Sequence, residues 1–352
     1  MVITVTGAAG MLGSRLVERL TADGHDVRGV DLRREPGVTL VGDIRDPRVM
    51  DEAADGAAAV LHCAAALPSY AAAEIRSIIV EGTANVLRAA RRARVERVLH
   101  VSSTAVYGLP RQVPTPEEHP REPVDTYSAA KATAEEIAER YRAEGLPTAI
   151  LRPKTFLGPG RMGLFAMLFE WAEEGRNFPV LGSGDVRIQM FAVDDLVEAV
   201  VTVLAAPEEV ANDTYNLAAE RFRTLREDFQ SVLDAAGHGK RVVGVPARPA
   251  LFALELLERS RLSPVYGRLL HKLRHDSYVS IDKAIQRLGF TPKFSNEDAI
   301  LRTYEWWRAS RAAAGGAAGP MGSRATGAAP GGGRTSREPW RQGALSLAKI
   351  FF

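Results

Sequence analysis

The first twenty-two residues constrain the fold most. Val2–Thr6 is a β-branched run, which reads as a buried strand. It stops at Gly7-Ala8-Ala9-Gly10-Met11-Leu12-Gly13, a G-x-x-G-x-x-G turn. Met11–Ala22 follows with Leu12, Leu16, Val17 and Leu20 on one helical face. In such a strand–turn–helix unit Gly7 permits the tight turn, Gly10 lets the backbone approach a pyrophosphate and Gly13 lets the helix pack close. The free amides and positive dipole end of the helix then favour phosphate, with Met11 and Leu12 in its first turn.

The strand–helix alternation continues. Strands are expected at Asp26–Asp31, Thr39–Gly42, Ala58–His62, Arg97–Ser102 and Pro147–Leu151, with helices at Asp51–Ala54, Ile75–Ala93 and Ala129–Glu144. The fold class is therefore α/β, a Rossmann-type doubly wound parallel sheet with a smaller mixed C-terminal domain. Further helices are expected at Leu164–Glu174, Asp194–Ala205, Leu225–Ala236, Ala250–Arg259 and Ala299–Arg308, and a short strand at Tyr215–Leu217. The expected dinucleotide domain spans 1–153 with 189–218 returning to it, and 154–188 with 219–311 form the substrate domain. From Ala312 a Gly/Ala/Ser/Pro tract reads as a disordered tail over 312–352. Formal net charge is +2, with 45 basic and 43 acidic residues, so nothing drives the chain toward nucleic acid or a membrane. The single cysteine, Cys63, excludes an intrachain disulfide. With neither a secretory leader nor a membrane-length apolar run, a cytoplasmic protein is expected.

Asp31 ends the second strand, where its carboxylate can accept from the adenosine ribose hydroxyls and repel a 2′-phosphate. NAD is the expected cofactor. Arg33 and Arg34 follow at once and offer charge to such a phosphate, but both are read as solvent-exposed. Asp43 and Ile44, after the third strand, are placed to line the adenine.

Tyr127-Ser128-Ala129-Ala130-Lys131 has Y-x-x-x-K spacing, which puts both side chains on one helical face a turn apart. Tyrosine ionises near pH 10 and is a poor base at neutrality. A lysine cation and an oxidised nicotinamide both favour its phenolate. Upstream, the fifth strand runs into Val101-Ser102-Ser103-Thr104-Ala105-Val106-Tyr107-Gly108, at the carboxyl edge where this architecture binds ligands. A hydroxyl there can polarise the oxygen that Tyr127 deprotonates.

The glycine turn, VSSTAVYG and YSAAK, in this order, resemble the extended short-chain dehydrogenase/reductase superfamily, and within it the NAD-dependent epimerase/dehydratase family of sugar-nucleotide enzymes. The resemblance covers about Met1 to Arg308. It takes in GDIRD, HCAA, EGTANVLRAA, LRP followed by GPG, VDDL, YNLA and RLGFTPKFSNEDAILRTYEWW. It implies Ser103 as the catalytic hydroxyl, with Thr104 beside it, Tyr127 as the base and Lys131 as its lysine, which also reaches the nicotinamide ribose. It further implies cofactor contacts from Ala64, Ala65, Ser102 and Pro153. Substrate contacts would come from Ser103, Thr104 and Thr155.

Three positions depart from the family pattern. Dehydratases carry Asp-Glu directly after the catalytic hydroxyl, where this chain has Thr104 and Ala105, so dehydration is not expected. An asparagine of the long helix is replaced by Ile79, and another, in the R-P-x-N segment, by Thr155. Arg187, in GDVRIQMFAVDD, is the candidate for a diphosphate or acidic group of the substrate. His271 and His275 are four apart but lack a third ligand, so no metal is expected. The functional expectation is an NAD-dependent epimerase of a nucleoside-diphosphate sugar, acting through a keto intermediate as a homodimer. The alternative is a dehydrogenase or reductase of another secondary alcohol or ketone, such as a hydroxysteroid-like or natural-product substrate. A nucleotide-sensing scaffold without turnover is disfavoured by the intact Ser103, Tyr127 and Lys131.

Overall fold

The computed structural model describes residues 1–160, 165–246 and 275–313. In chain order these form β1 Val2–Thr6, α1 Met11–Ala22, β2 Asp26–Asp31, β3 Leu40–Val41, α2 Pro47–Ala54, β4 Ala59–His62, α3 Ala72–Arg76, a π-helical segment Ser77–Glu81 and α4 Gly82–Ala93. Then come β5 Arg97–Val101, a 3-10 turn Thr104–Tyr107, α5 Thr126–Ala143, β6 Thr148–Pro153, β7 Phe156–Leu157, α6 Phe165–Glu173, β8 Phe178–Leu181, β9 Phe191–Ala192, α7 Val193–Ala205 and α8 Glu208–Ala211. The remaining elements are β10 Thr214–Leu217, α9 Leu225–Ala236, β11 Val242–Val245, α10 Asp282–Leu288 and α11 Asn296–Ala313. The helix expected at Ala250–Arg259 and the tail from residue 314 lie outside the described residues, whereas Ala312 and Ala313 close α11.

The chain divides into two compact units. The first comprises Met1–Phe156, Val193–Ala218 and Val279–Lys293. Its sheet runs β10-β6-β5-β4-β1-β2-β3, and the strand pairs are parallel. This is a doubly wound order with β10 added at one edge, and the order reverses at β1, whose carboxyl end carries the glycine turn. β4 and β6 are buried along their whole length, as parallel strands covered by helices on both faces must be.

Val279–Lys293 was expected in the other domain, and packing explains its place. Val279 and Ile281 join a buried cluster with Val106, Tyr107, Ala132 and Ala218, and Lys283 donates to Asp213 at 2.7 Å. The long helix expected from Ile75 starts earlier, at Ala72, and is widened into π geometry over Ser77–Glu81. α5 begins at Thr126 rather than Ala129, because Asp125 caps it: its carboxylate accepts from Ser128 N at 2.7 Å, while Ser128 Oγ accepts from Asp125 N at 3.1 Å.

The second unit comprises the described parts of Leu157–Ala192, Ala219–Tyr278 and Phe294–Phe352. Its core gathers Phe169, Trp171, Phe178, Val232, Tyr304 and Trp307, and β11 pairs with β8. β8 and β11 were not anticipated, since four-residue runs such as FPVL and VVGV give too little periodicity to read.

Candidate active site

Gly7 takes φ +72°, and a Cβ built on it would lie 2.8 Å from the Ala64 amide nitrogen. A Cβ on Gly13 would lie 2.1 Å from the Gly7 carbonyl oxygen, so α1 packs onto the turn only because this position is bare. Gly10 is the N-cap of α1 and no side chain caps it. The first-turn amides at Met11, Leu12 and Gly13 are therefore presented as an anion cradle, and the residues fit a dinucleotide pyrophosphate.

Asp31 closes the neighbouring end of β2. Its carboxylate accepts from Ala9 N at 3.0 Å and Arg33 N at 3.1 Å. Arg33 is not the solvent-exposed side chain expected from sequence: its guanidinium donates to the Ala9 carbonyl at 3.0 Å and lies 3.7 Å from Asp31. Arg34 is exposed. Burial would raise the Asp43 carboxyl, but hydrogen bonds from Arg45 outweigh it and hold the group below its ordinary value. Ile44 is buried, and its carbonyl accepts from Asn85 Nδ2 at 2.6 Å.

The cap on α5 starts the helix face that carries Tyr127 and Lys131. Tyr127 sits in the first turn, half-buried against Ala66, Ile75, Ile79 and Ala130. Ile79, where the family pattern has asparagine, thus supplies apolar packing in the tyrosine's cluster. One turn on, Lys131 is buried and Nζ donates to the Val101 carbonyl at 2.8 Å. That carbonyl ends β5, two residues before Ser103, so the lysine head lies at the carboxyl end of this strand. Burial brings Lys131 down to about 8, and Glu135 opposes the fall. Ser103 caps the 3-10 turn, its half-buried Oγ accepting from Ala105 N at 3.1 Å. Thr104 is buried with its hydroxyl donating to the Pro153 carbonyl at 3.5 Å, and Ala105 is buried beside it.

A further turn along that face is Glu135, which the sequence reading missed. It is fully buried and accepts from Arg152 Nη2 at 2.7 Å and Arg121 Nη1 at 3.2 Å. Arg152 also donates to Tyr107 Oη at 2.8 Å, and that hydroxyl donates to Asn216 at 2.8 Å. The signal was present: Tyr127, Lys131 and Glu135 recur every four residues, and a carboxylate on a helix face between a lysine and a strand arginine asks for a partner.

The other expected contacts fall in two places. Ala64 is half-buried and Ala65 exposed in the loop after β4, Ser102 and Pro153 are buried, and Thr155 is exposed, all in the first unit. Arg187 belongs to the second unit, where its guanidinium donates to Asp276 at 2.6 Å and to Tyr278 Oη at 3.0 Å. Among the described residues no group of three or more His, Cys, Asp or Glu side chains could hold a metal, and His271 lies outside them.

Residues 3–218, more than half of the chain, match the model of the NAD dependent epimerase/dehydratase family. The chain belongs to this family. An uncharacterized protein of Sinorhizobium fredii is 33% identical over 97% of this chain and 84% of its own length. UDP-glucose 4-epimerase of Mycolicibacterium smegmatis is 30% identical over 86% of this chain and 97% of its own. A solved dTDP-glucose 4,6-dehydratase of Streptomyces venezuelae, with NAD bound, is 27% identical with a TM-score of 0.70, covering 89% of this chain and 98% of that one. The cofactor of this epimerase/dehydratase-family chain is NAD, as the family description states, and the cradle at Gly7–Gly13 fits its pyrophosphate. Among the described residues no helix is long and apolar enough to cross a membrane.

Proposed function

We propose that this chain is an NAD-dependent epimerase of a nucleoside-diphosphate sugar. Bound NAD would take a hydride from one sugar carbon and return it to the opposite face. The chain's own part begins at Tyr127, whose phenolate removes the proton of the hydroxyl on that carbon and later gives it back. Lys131, one turn away, supplies the positive charge that favours phenolate. Ser103 donates to the same oxygen in alcohol and ketone alike. Thr155 and Arg187 are the proposed substrate contacts, Arg187 exchanging Asp276 for a diphosphate. Ala64, Ala65, Ser102, Pro153, Asp31, Asp43 and Ile44 are the proposed cofactor contacts besides the glycine turn.

The observation that carries this reading is the 3-10 turn after Ser103. A dehydratase must protonate and expel a second hydroxyl, which needs an acid beside the catalytic one. Here Thr104 is turned onto Pro153 and Ala105 is apolar, and both are buried. Tyr127 and Ser103 then support oxidation and reduction at one carbon without elimination. The relatedness to a UDP-glucose 4-epimerase over nearly its whole length supports a sugar nucleotide.

The fate of the hydride tests the proposal. A candidate sugar nucleotide carrying deuterium at the carbon to be inverted is supplied with excess NAD. The expected product is an epimer that keeps its deuterium, with no build-up of reduced-cofactor absorbance. Steady multiple-turnover accumulation of deuterated NADH would sink the epimerase and establish a net dehydrogenase.

A further inference from the structure

Both ring nitrogens of His100 and the hydroxyl of Ser102 are buried without a hydrogen-bond partner in the protein. His100 is 1% exposed and Ser102 4%. An imidazole always carries at least one N–H, and leaving it unpaired in the interior costs about 1–3 kcal/mol. The neighbouring ring does not serve it. His62 stands in register with His100 across β4 and β5, with ring centroids 5.3 Å apart. Thr6 Oγ1 accepts from Ala64 N at 3.3 Å, which leaves its hydrogen for His62 Nδ1 at 2.8 Å. His62 Nε2–H then donates to Thr83 Oγ1 at 3.0 Å. Both nitrogens of His62 are thus committed.

Lys131 is the cation at this spot. Its Nζ holds the carbonyl of Val101, the residue directly after His100, which engages one of three ammonium hydrogens. The groups that act on it are His62 of β4 and Cys63 just after that strand, His100 of β5, and, from its own helix, Glu135, whose oxygens are taken by Arg152 of β6 and by Arg121. Burial, with Lys131 adding, pushes His62 down to about 3 and drives His100 well below its ordinary value, so both rings are neutral and His100 keeps a lone pair.

We propose that His100 is a positioning residue for Lys131: its neutral ring, through a buried water shared with Ser102, supplies the lone pair that helps keep charged the ammonium one helical turn along α5 from Tyr127. Imidazole, hydroxyl and ammonium together offer the two to four polar partners that a buried water needs. The inference rests on Tyr127 and Lys131 being the acid–base pair. Without the ring, Lys131 sheds its proton more readily, the field at Tyr127 weakens and the phenolate forms at higher pH.

The test needs no substrate. With saturating NAD, the phenolate absorbance of the parent chain minus that of Tyr127→Phe isolates the Tyr127 titration. His100→Phe and His100→Leu, two apolar replacements of different size, are expected to move that step alkaline by about one pH unit. His100→Asn, which restores a polar acceptor, is expected to recover at least half of the shift. A step present in the parent but unmoved in whichever apolar variant folds overturns the inference alone, even where the melting temperature falls. A parent with no Tyr127 step below the ordinary tyrosine range overturns the acid–base reading, and the inference with it.

Discussion

At the scale of single residues, the catalytic assignment makes a sharp demand. Tyr127→Phe keeps the ring that packs with Ile79 and Ala130 and removes only the oxygen. The expected result is a loss of kcat of about two to four orders of magnitude, the scale of a positioned acid–base group, with NAD affinity nearly unchanged. Lys131→Ala is expected to weaken both, since its ammonium is buried at the end of β5. Near-full activity of Tyr127→Phe on an identified substrate would remove Tyr127 from the mechanism. The residues legible in the sequence were those whose role is local. Gly7 and Gly13 are placed by backbone freedom and Tyr127 and Lys131 by i,i+4 spacing on one helix, which a string of letters displays. The partner of Arg33, Ala9 O, lies in the turn after the neighbouring strand β1, and no spacing rule connects the two. The four-residue recurrence displayed Glu135, but not its partner Arg152, because that pairing crosses from helix to strand.

At the scale of elements, the boundaries that shifted did so under tertiary or capping control. α5 gained three residues from the Asp125–Ser128 box, a signal present in the sequence as Asp-x-x-Ser. The π segment Ser77–Glu81 has no comparable signature. In the second unit, Asp228 of α9 is buried with one oxygen on Asn296 Nδ2 at 2.8 Å and the other without a partner. Burial raises its carboxyl to about 6, against the pull of Asn296. The native chain therefore binds this proton more tightly than the unfolded chain, and the contribution of Asp228 to stability falls as pH rises from about 4 to 6, then stays level. Asp228→Asn lacks that titration. Its stability relative to the parent should improve by on the order of 2 kcal/mol between pH 4 and pH 7 in denaturant melts. A pH-independent difference would show that Asp228 is ionised at no cost.

At the scale of the whole molecule, the doubly wound sheet was legible because its strand–helix alternation is long and regular. The allocation of Val279–Lys293 was not, because Ile281 and Val279 look like any short apolar run until their cluster with Val106 and Tyr107 is seen. Ile281→Ala should cost about 2–4 kcal/mol, the range for a buried aliphatic truncation. The loss is expected in the unfolding transition that NAD raises by mass action, because the segment completes the cofactor-binding unit. Were only an NAD-insensitive transition to move, the segment would contribute nothing to that unit.

The same return of the chain governs how the protein is made. Synthesis runs from the N-terminus, yet the first unit draws on residues up to Lys293. When the last sheet strand at Thr214–Leu217 has left the ribosome, the apolar patch around Val106 and Tyr107 still lacks Val279 and Ile281. The nascent NAD-binding sheet must wait, incompletely covered, while some sixty further codons are read. A pause in translation before residue 279 would lengthen the time for which that patch is uncovered.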